Sequence, residues 1–112
     1  MNPIGVFGGT FDPIHFGHLR TGFELMQLLA LGELRFVPAG NPPHRDAPLA
    51  EAGLRLAMVR AAIEAQPGFT VDDREVRRVG PSYTVTTLAE LRVEYPAHPL
   101  VLVVGMDAFL GL

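Results

Sequence analysis

Apolar residues fall in short blocks punctuated by glycine and proline, and two spacings alternate along the chain. Ile4 to Phe7 is a short apolar run that stops at Gly8-Gly9, the pattern of a buried strand. Leu19, Phe23, Met26 and Ala30 then recur at i, i+4, i+7 and i+11, which predicts one stripe of a helix ending near Gly32. Leu34 to Val37 predicts a second strand, stopped by Pro38. Residues 38–48 hold four prolines and a glycine and read as a loop. Leu54, Met58, Ala61 and Ala65 repeat the helical spacing as far as Pro67-Gly68. Phe69-Thr70-Val71 fits a third strand. Leu88, Leu91 and Tyr95 mark a helix from about Ser82 to Tyr95, with Pro96 beyond it. Leu100 to Val104 has no polar alternation, which predicts a strand buried on both faces.

The resulting order is βαβαβαβ. Strands joined by helical crossovers imply an α/β fold, a Rossmann-like parallel sheet with helices on both faces and right-handed connections. No repeat, linker or low-complexity tract divides it, so one domain is expected over residues 1–112. A doubly wound sheet normally continues past its fourth strand. The pattern stops at Gly111-Leu112, where a fourth helix is due after Asp107, so the expectation is a domain truncated before its last strands.

Composition narrows the chemistry. An apolar content of 48% against 19% charged residues excludes a disordered tail. A net charge of −3 argues against a broad basic face for nucleic acid. All 9 basic residues are arginine, so phosphate contacts must come from arginine, histidine or backbone amides. The absence of cysteine removes disulfides, thiolate zinc sites and thiol nucleophiles. No apolar run approaches the ~18 residues of a membrane span. Met1-Asn2-Pro3 does not open a secretory signal, and a cytoplasmic protein is expected.

The first strand–helix junction reads Gly8-Gly9-Thr10-Phe11-Asp12-Pro13-Ile14-His15-Phe16-Gly17-His18. Glycines directly after a buried strand let backbone amides approach a ligand, and the following helix N-terminus adds partial positive charge. The spacing is neither GxGxxG nor GxxxxGK[ST], so neither a dinucleotide fold nor a P-loop is indicated. His15 and His18 lie at i and i+3, on one face of a helix start. Two imidazoles beside oriented amides can donate hydrogen bonds to a crowded phosphate. A zinc half-site is the other reading of HxxH. It would need a third ligand, for which Asp12 or His44 are the nearby residues. Asp12, ahead of Pro13, reads as a turn residue. Arg74, Arg77 and Arg78 beside Asp72, Asp73 and Glu75 read as a mixed, solvated surface, and His98 as an exposed loop residue.

The segment GGTFDPIHFGH resembles the signature of the HxGH nucleotidyltransferase superfamily, the α/β adenylyl- and cytidylyltransferases. Pro42-Pro43-His44-Arg45, Pro81-Ser82-Tyr83-Thr84 and Gly105-Met106-Asp107 narrow the resemblance to the bacterial nicotinate-nucleotide adenylyltransferases. That family transfers AMP from ATP to nicotinate mononucleotide, giving deamido-NAD and pyrophosphate, with Mg²⁺ and no covalent nucleophile. The resemblance implies that the substrate phosphate attacks in line while the protein positions groups and stabilises charge. It gives His15 and His18 the catalytic role. Gly8, Gly9, Thr10 and the Phe11 amide would hold phosphates, His44 and Arg45 the leaving β- and γ-phosphates, and Gly105 and Asp107 the ATP ribose. Tyr83 and Thr84 would meet the nicotinate group. Capping of a helix by Ser82 or Thr84 is the plainer reading of that segment.

The family also carries an SxTxxR motif and a Trp-bearing aromatic segment toward its C-terminus, and neither occurs in these 112 residues. The resemblance therefore implies the N-terminal portion of such an enzyme, with strands in the order 3-2-1-4. Alone, it would be weak or inactive and would tend to self-associate through its uncovered sheet edge. Phosphopantetheine adenylyltransferase is the alternative within the superfamily. A non-catalytic nucleotide-binding module and a self-associating fragment are the alternatives outside it.

Overall fold

The computed structural model describes residues 1–40, 50–79 and 83–105. Four strands, β1 (Ile4–Gly9), β2 (Glu33–Pro38), β3 (Phe69–Val71) and β4 (Leu100–Val103), form one sheet. Four helices connect them: α1 (Phe16–Leu28), α2 (Ala52–Ile63), α3 (Arg74–Arg77) and α4 (Thr84–Glu94). The strand order is β3-β2-β1-β4, with every pairing parallel, as the βαβ pattern and the resemblance together imply. Val6 aligns with Arg35 on one side and Leu102 on the other, so β1 is central.

Alternation along β1 feeds two cores. Phe7 joins Phe11, Leu34, Phe36, Val59, Ile63 and Phe69 on the face covered by α1 and α2. Val6 joins Val37 and Leu91, with Leu88 and Tyr95 of the α4 segment packed against them, on the opposite face. Helices therefore cover both faces, as expected. At about 25 cal/mol per Å² of apolar surface, burying a side chain such as Phe36 contributes roughly 1.5–3 kcal/mol.

Three helical expectations need correction. In α1 Leu19 and Met26 pack against the core as expected, but the buried residue is Gly22, and Phe23 is 43% exposed. A Cβ on Gly22 would stand 2.7 Å from Leu34 Cδ2, so its absence lets the helix sit down on β2 and turns the phenylalanine outward. In α2 the buried positions are Arg55, Leu56, Val59 and Ile63. Leu54 is 51% exposed, and Ala61 and Ala65 are exposed. Nearly every position of Ala-Gly-Leu-Arg-Leu-Ala-Met-Val-Arg-Ala-Ala-Ile is apolar, so spacing cannot choose its face. The short α3 is the third. It carries Glu75, 8% exposed, next to Asp72, 6% exposed, in a segment read as solvated surface. Asp72 accepts from Arg74 Nε at 2.9 Å and Arg35 Nη1 at 3.0 Å, and Arg74 reaches Glu94 of α4 at 2.8 Å. The charges are there to join β2, α3 and α4.

β4 sits at the sheet edge among the described residues and is half-buried throughout, not buried on both faces. His98 is half-buried, its Nδ1 3.0 Å from the Asn2 carbonyl.

Candidate active site

The connections leave β1 toward β2 on one side and return to β4 on the other. Their carboxyl ends diverge there, the place where open parallel sheets bind ligands. A cleft of about 700 Å³ lies at that point. Its walls are the turn from Gly8 to Pro13, the His15, Gly17 and His18 start of α1, and Val103 to Gly105.

His15 is the N-cap of α1, in extended conformation (φ −142°, ψ 176°). Its Nδ1 accepts the Gly17 N–H at 3.1 Å, while its own N–H donates to His18 Nδ1 at 3.0 Å. A backbone N–H can only donate, so both Nδ1 atoms are unprotonated and both rings carry their proton on Nε2. The rings lie 3.9 Å apart between centroids, 31° from parallel. Burial first, and the neighbouring His15 second, push the His18 pKa below 6.5, which keeps that ring neutral at pH 7. Gly17 is required by this cap: a Cβ there would lie 2.9 Å from His15 Cε1.

Phe11 forms the floor. It is 3% exposed and has a left-handed backbone (φ 51°), a costly conformation for a bulky residue. Its ring meets Phe7 edge-on at 5.5 Å and His18 at 5.0 Å. Asp12 precedes Pro13 through a cis peptide and lies in a turn, and its Oδ1 accepts the Ala50 N–H at 2.9 Å, a contact between distant segments.

The cleft thus gathers Gly8, Gly9, Thr10, Phe11, His15, His18 and Gly105 from the expected set. Tyr83 is the N-cap of α4 and Thr84 its first residue. Neither lines the cleft, and Tyr83 is 47% exposed without capping the helix through its side chain. His44, Arg45 and Asp107 lie outside the described residues, as does Ser82. Arg55 was missed altogether. It is 1% exposed and donates to the carbonyls of Thr10, Ala39, Gly40 and Ala50 at 2.7, 2.6, 3.2 and 3.0 Å. The available signal was a lone arginine inside Leu54-Arg55-Leu56-Ala57-Met58, an otherwise apolar helical block.

Among the described residues no group of three His, Asp or Glu could hold a metal, and Asp12 supplies the one carboxylate of the cleft wall. With both Nδ1 atoms engaged, the histidines offer only Nε2. No helix among the described residues is long and apolar enough to cross a membrane.

A family model described as cytidylyltransferase-like matches residues 6–112. A protein of Aeromonas hydrophila named "Probable nicotinate-nucleotide adenylyltransferase" is 53% identical over 110 residues, which are 98% of this chain and 51% of the relative. A protein of Acidithiobacillus ferrooxidans with the same name is 55% identical over 105 residues, 94% of this chain and 48% of its own. The solved structure of Plasmodium falciparum nicotinic acid mononucleotide adenylyltransferase complexed with NaAD superposes with a TM-score of 0.74 at 20% identity. That match covers 91% of this chain and 51% of that one, and it shows the shared fold. The chain spans about half the length of the curated relatives it matches. Since the family model runs from within β1 to the last residue, taking in the whole cleft, the chain belongs to the cytidylyltransferase-like family.

Proposed function

We propose that the protein transfers AMP from ATP to nicotinate mononucleotide, giving deamido-NAD and pyrophosphate, in the cytoplasm. The observation that carries this is the reciprocal histidine cap. It leaves Nε2 of two cleft-lining histidines at a helix N-terminus free to donate, opposite a wall of glycine-rich backbone. Such a site suits a phosphate group whose charge grows in the transition state, because its donors need no reorganisation. The relatives' names support nicotinate mononucleotide as the acceptor.

In this reading the acceptor phosphate oxygen attacks the α-phosphorus of ATP as the bond to the β-phosphate oxygen breaks. His15 and His18 donate to the phosphate oxygens. Gly8, Gly9 and Thr10 line the phosphate path, and the Phe11 N–H donates to it. His44 and Arg45 neutralise the departing pyrophosphate, Gly105 and Asp107 hold the ribose, and Tyr83 and Thr84 meet the nicotinate carboxylate. Mg²⁺ would arrive on the ATP phosphates and offset their charge. That suits a cleft wall with one carboxylate, since magnesium in such sites is held largely by phosphates and water.

The test is pyrophosphate release from ATP with nicotinate mononucleotide, nicotinamide mononucleotide or phosphopantetheine as acceptor. The 112-residue chain and the complete reading frame that contains it are assayed in parallel. Preferred turnover with nicotinate mononucleotide by the complete frame is the expected result. Preferred turnover with phosphopantetheine, or none with any acceptor, overturns it.

A further inference from the structure

We infer that Arg55, which lies outside the cleft, is the positioning residue that aims the Phe11 amide into it. The inference rests on the function proposed above for the meaning of the cleft, but not for its geometry.

Among the described residues, the Arg55 guanidinium has no carboxylate hydrogen bond. Nη1 donates to Thr10 O at 2.7 Å and Ala39 O at 2.6 Å, Nη2 to Gly40 O at 3.2 Å, and Nε to Ala50 O at 3.0 Å. One planar fork therefore fixes the turn after β1, the exit of β2 and the approach to α2. Burial pulls the Arg55 pKa below the ordinary guanidinium value, and the charge of Asp12 opposes the shift. A fully buried arginine spending its donors on carbonyls is costly as a mere stabiliser. The cost has a reason if the shape of the turn matters.

The key atom is Thr10 O. The only cis peptide among the described residues is Asp12-Pro13, so Thr10-Phe11 is trans. In a trans peptide the C=O and the next N–H point in opposite directions. Gripping the Thr10 carbonyl from the α2 side therefore turns the Phe11 N–H away from Arg55. Thr10 and Phe11 line the cleft, whereas Arg55 does not. No described acceptor takes that N–H. The conformation is strained, with Phe11 at φ 51°, so it persists only where both ends are held. Arg55 holds the carbonyl end. The Phe11 ring, packed against Phe7, His18 and Phe36, holds the other. Arg55 thus acts through the peptide plane, at second hand, on the group that meets a phosphate.

Lysine in its place supplies one point charge and no planar fork, so it cannot hold these carbonyls together. In the complete reading frame, Arg55→Lys should fold and lose about 10²-fold in kcat, the usual effect of a displaced preorganised donor. The KM for nicotinate mononucleotide should stay within about threefold. Methylguanidinium at millimolar concentration should restore at least about tenfold of the kcat lost in Arg55→Ala, by refilling the fork. A merely structural arginine would lower the folded fraction, leave kcat per folded molecule unchanged and show no rescue.

A second readout needs no turnover. The ¹⁵N–¹H resonance of Phe11 should shift on titration with inorganic pyrophosphate in the wild type but not in Arg55→Lys. If the wild type turns over no acceptor, the proposed function falls and the Phe11 resonance alone decides this inference. A folded Arg55→Lys protein with kcat within about twofold of wild type, or a Phe11 resonance that responds alike in both, overturns it.

Discussion

Two regions of this molecule bury arginine, and they use it in opposite ways. Beside the cleft, Arg55 gives its donors to four backbone carbonyls, and among the described residues it has no carboxylate partner. On the other side of the sheet, Arg35 and Arg74 converge on the Asp72 carboxylate, and Arg74 continues to Glu94. The electrostatics follow. Burial drags the Arg55 pKa down, whereas the hydrogen bonds with Glu94 and Asp72 raise that of Arg74 well above the ordinary value. Burial alone would raise the Asp72 pKa. The hydrogen bonds from Arg74 and Arg35 outweigh it and hold the pKa below 3.8. One cluster shapes a loop and the other joins elements of the frame. Damage to the first should therefore appear in catalysis, and damage to the second in stability.

The largest expected effect is on the frame. Asp72→Ala leaves two largely buried guanidinium groups without their shared partner and should cost about 3–5 kcal/mol of stability. The urea midpoint should fall at unchanged slope, with turnover per folded molecule intact. An unmoved midpoint would erase the contrast from the frame side. Next, His18→Ala should lower turnover by about 10²–10³ with the circular dichroism spectrum preserved. Near-normal turnover in that folded variant would erase it from the cleft side. Gly17→Ala is smaller. Its methyl would crowd His15 Cε1, displacing the cap, and roughly a tenfold loss of turnover is expected. A fully active Gly17→Ala protein would show that the histidine cap tolerates rearrangement.

The smallest effect sharpens the comparison within the frame itself. Asp72 and Glu75 are both buried, yet burial raises the Glu75 pKa above 4.5, only partly opposed by the Thr87 hydroxyl 2.5 Å away. Asp72, with its depressed folded pKa, adds stability at pH above the ordinary carboxylate range. That contribution disappears as pH falls through the folded value. Glu75 has the opposite sign. The unfolded chain gives up this proton first, so stability declines as pH rises from about 4.5 through the raised folded value. Glu75→Gln should flatten that decline and leave the acid limb in place. If the denaturation midpoint of Glu75→Gln follows pH as the wild type does, Glu75 does not carry this slope.

The sheet was legible because its strands are built on short apolar runs bounded by glycine or proline, although pairing continues through Gly8-Gly9 in β1 and to Pro38 in β2. The junction at His15 was legible because a helix start bearing two histidines around a glycine is unusual chemistry. The face of α1 was legible in part and that of α2 was not. In α1 Leu19 and Met26 pack on the core, but the buried residue is a glycine, which hydrophobicity does not mark. In α2 one of the buried positions is an arginine, which apolar periodicity counts against burial. Arg55 and the Asp72 cluster went unread because Arg55 meets backbone carbonyls and the cluster is closed by Arg35 and Glu94 from distant segments, which spacing along the chain does not record.

The reciprocal cap at His15 and His18 makes the first turn of α1 responsive to acid. His18 Nδ1 accepts the His15 N–H, so a proton arriving there must displace that hydrogen bond. It also places positive charge against the positive end of the helix. Acidification below the ordinary imidazole value should therefore fray α1 from its tip inward, with β1 and β2 still paired. Hydrogen-exchange protection factors report this directly: that of the His15 amide should collapse at a pH where that of Phe36 is still high. The turn proposed to present donors to a phosphate is then also the turn that proton concentration can dissolve.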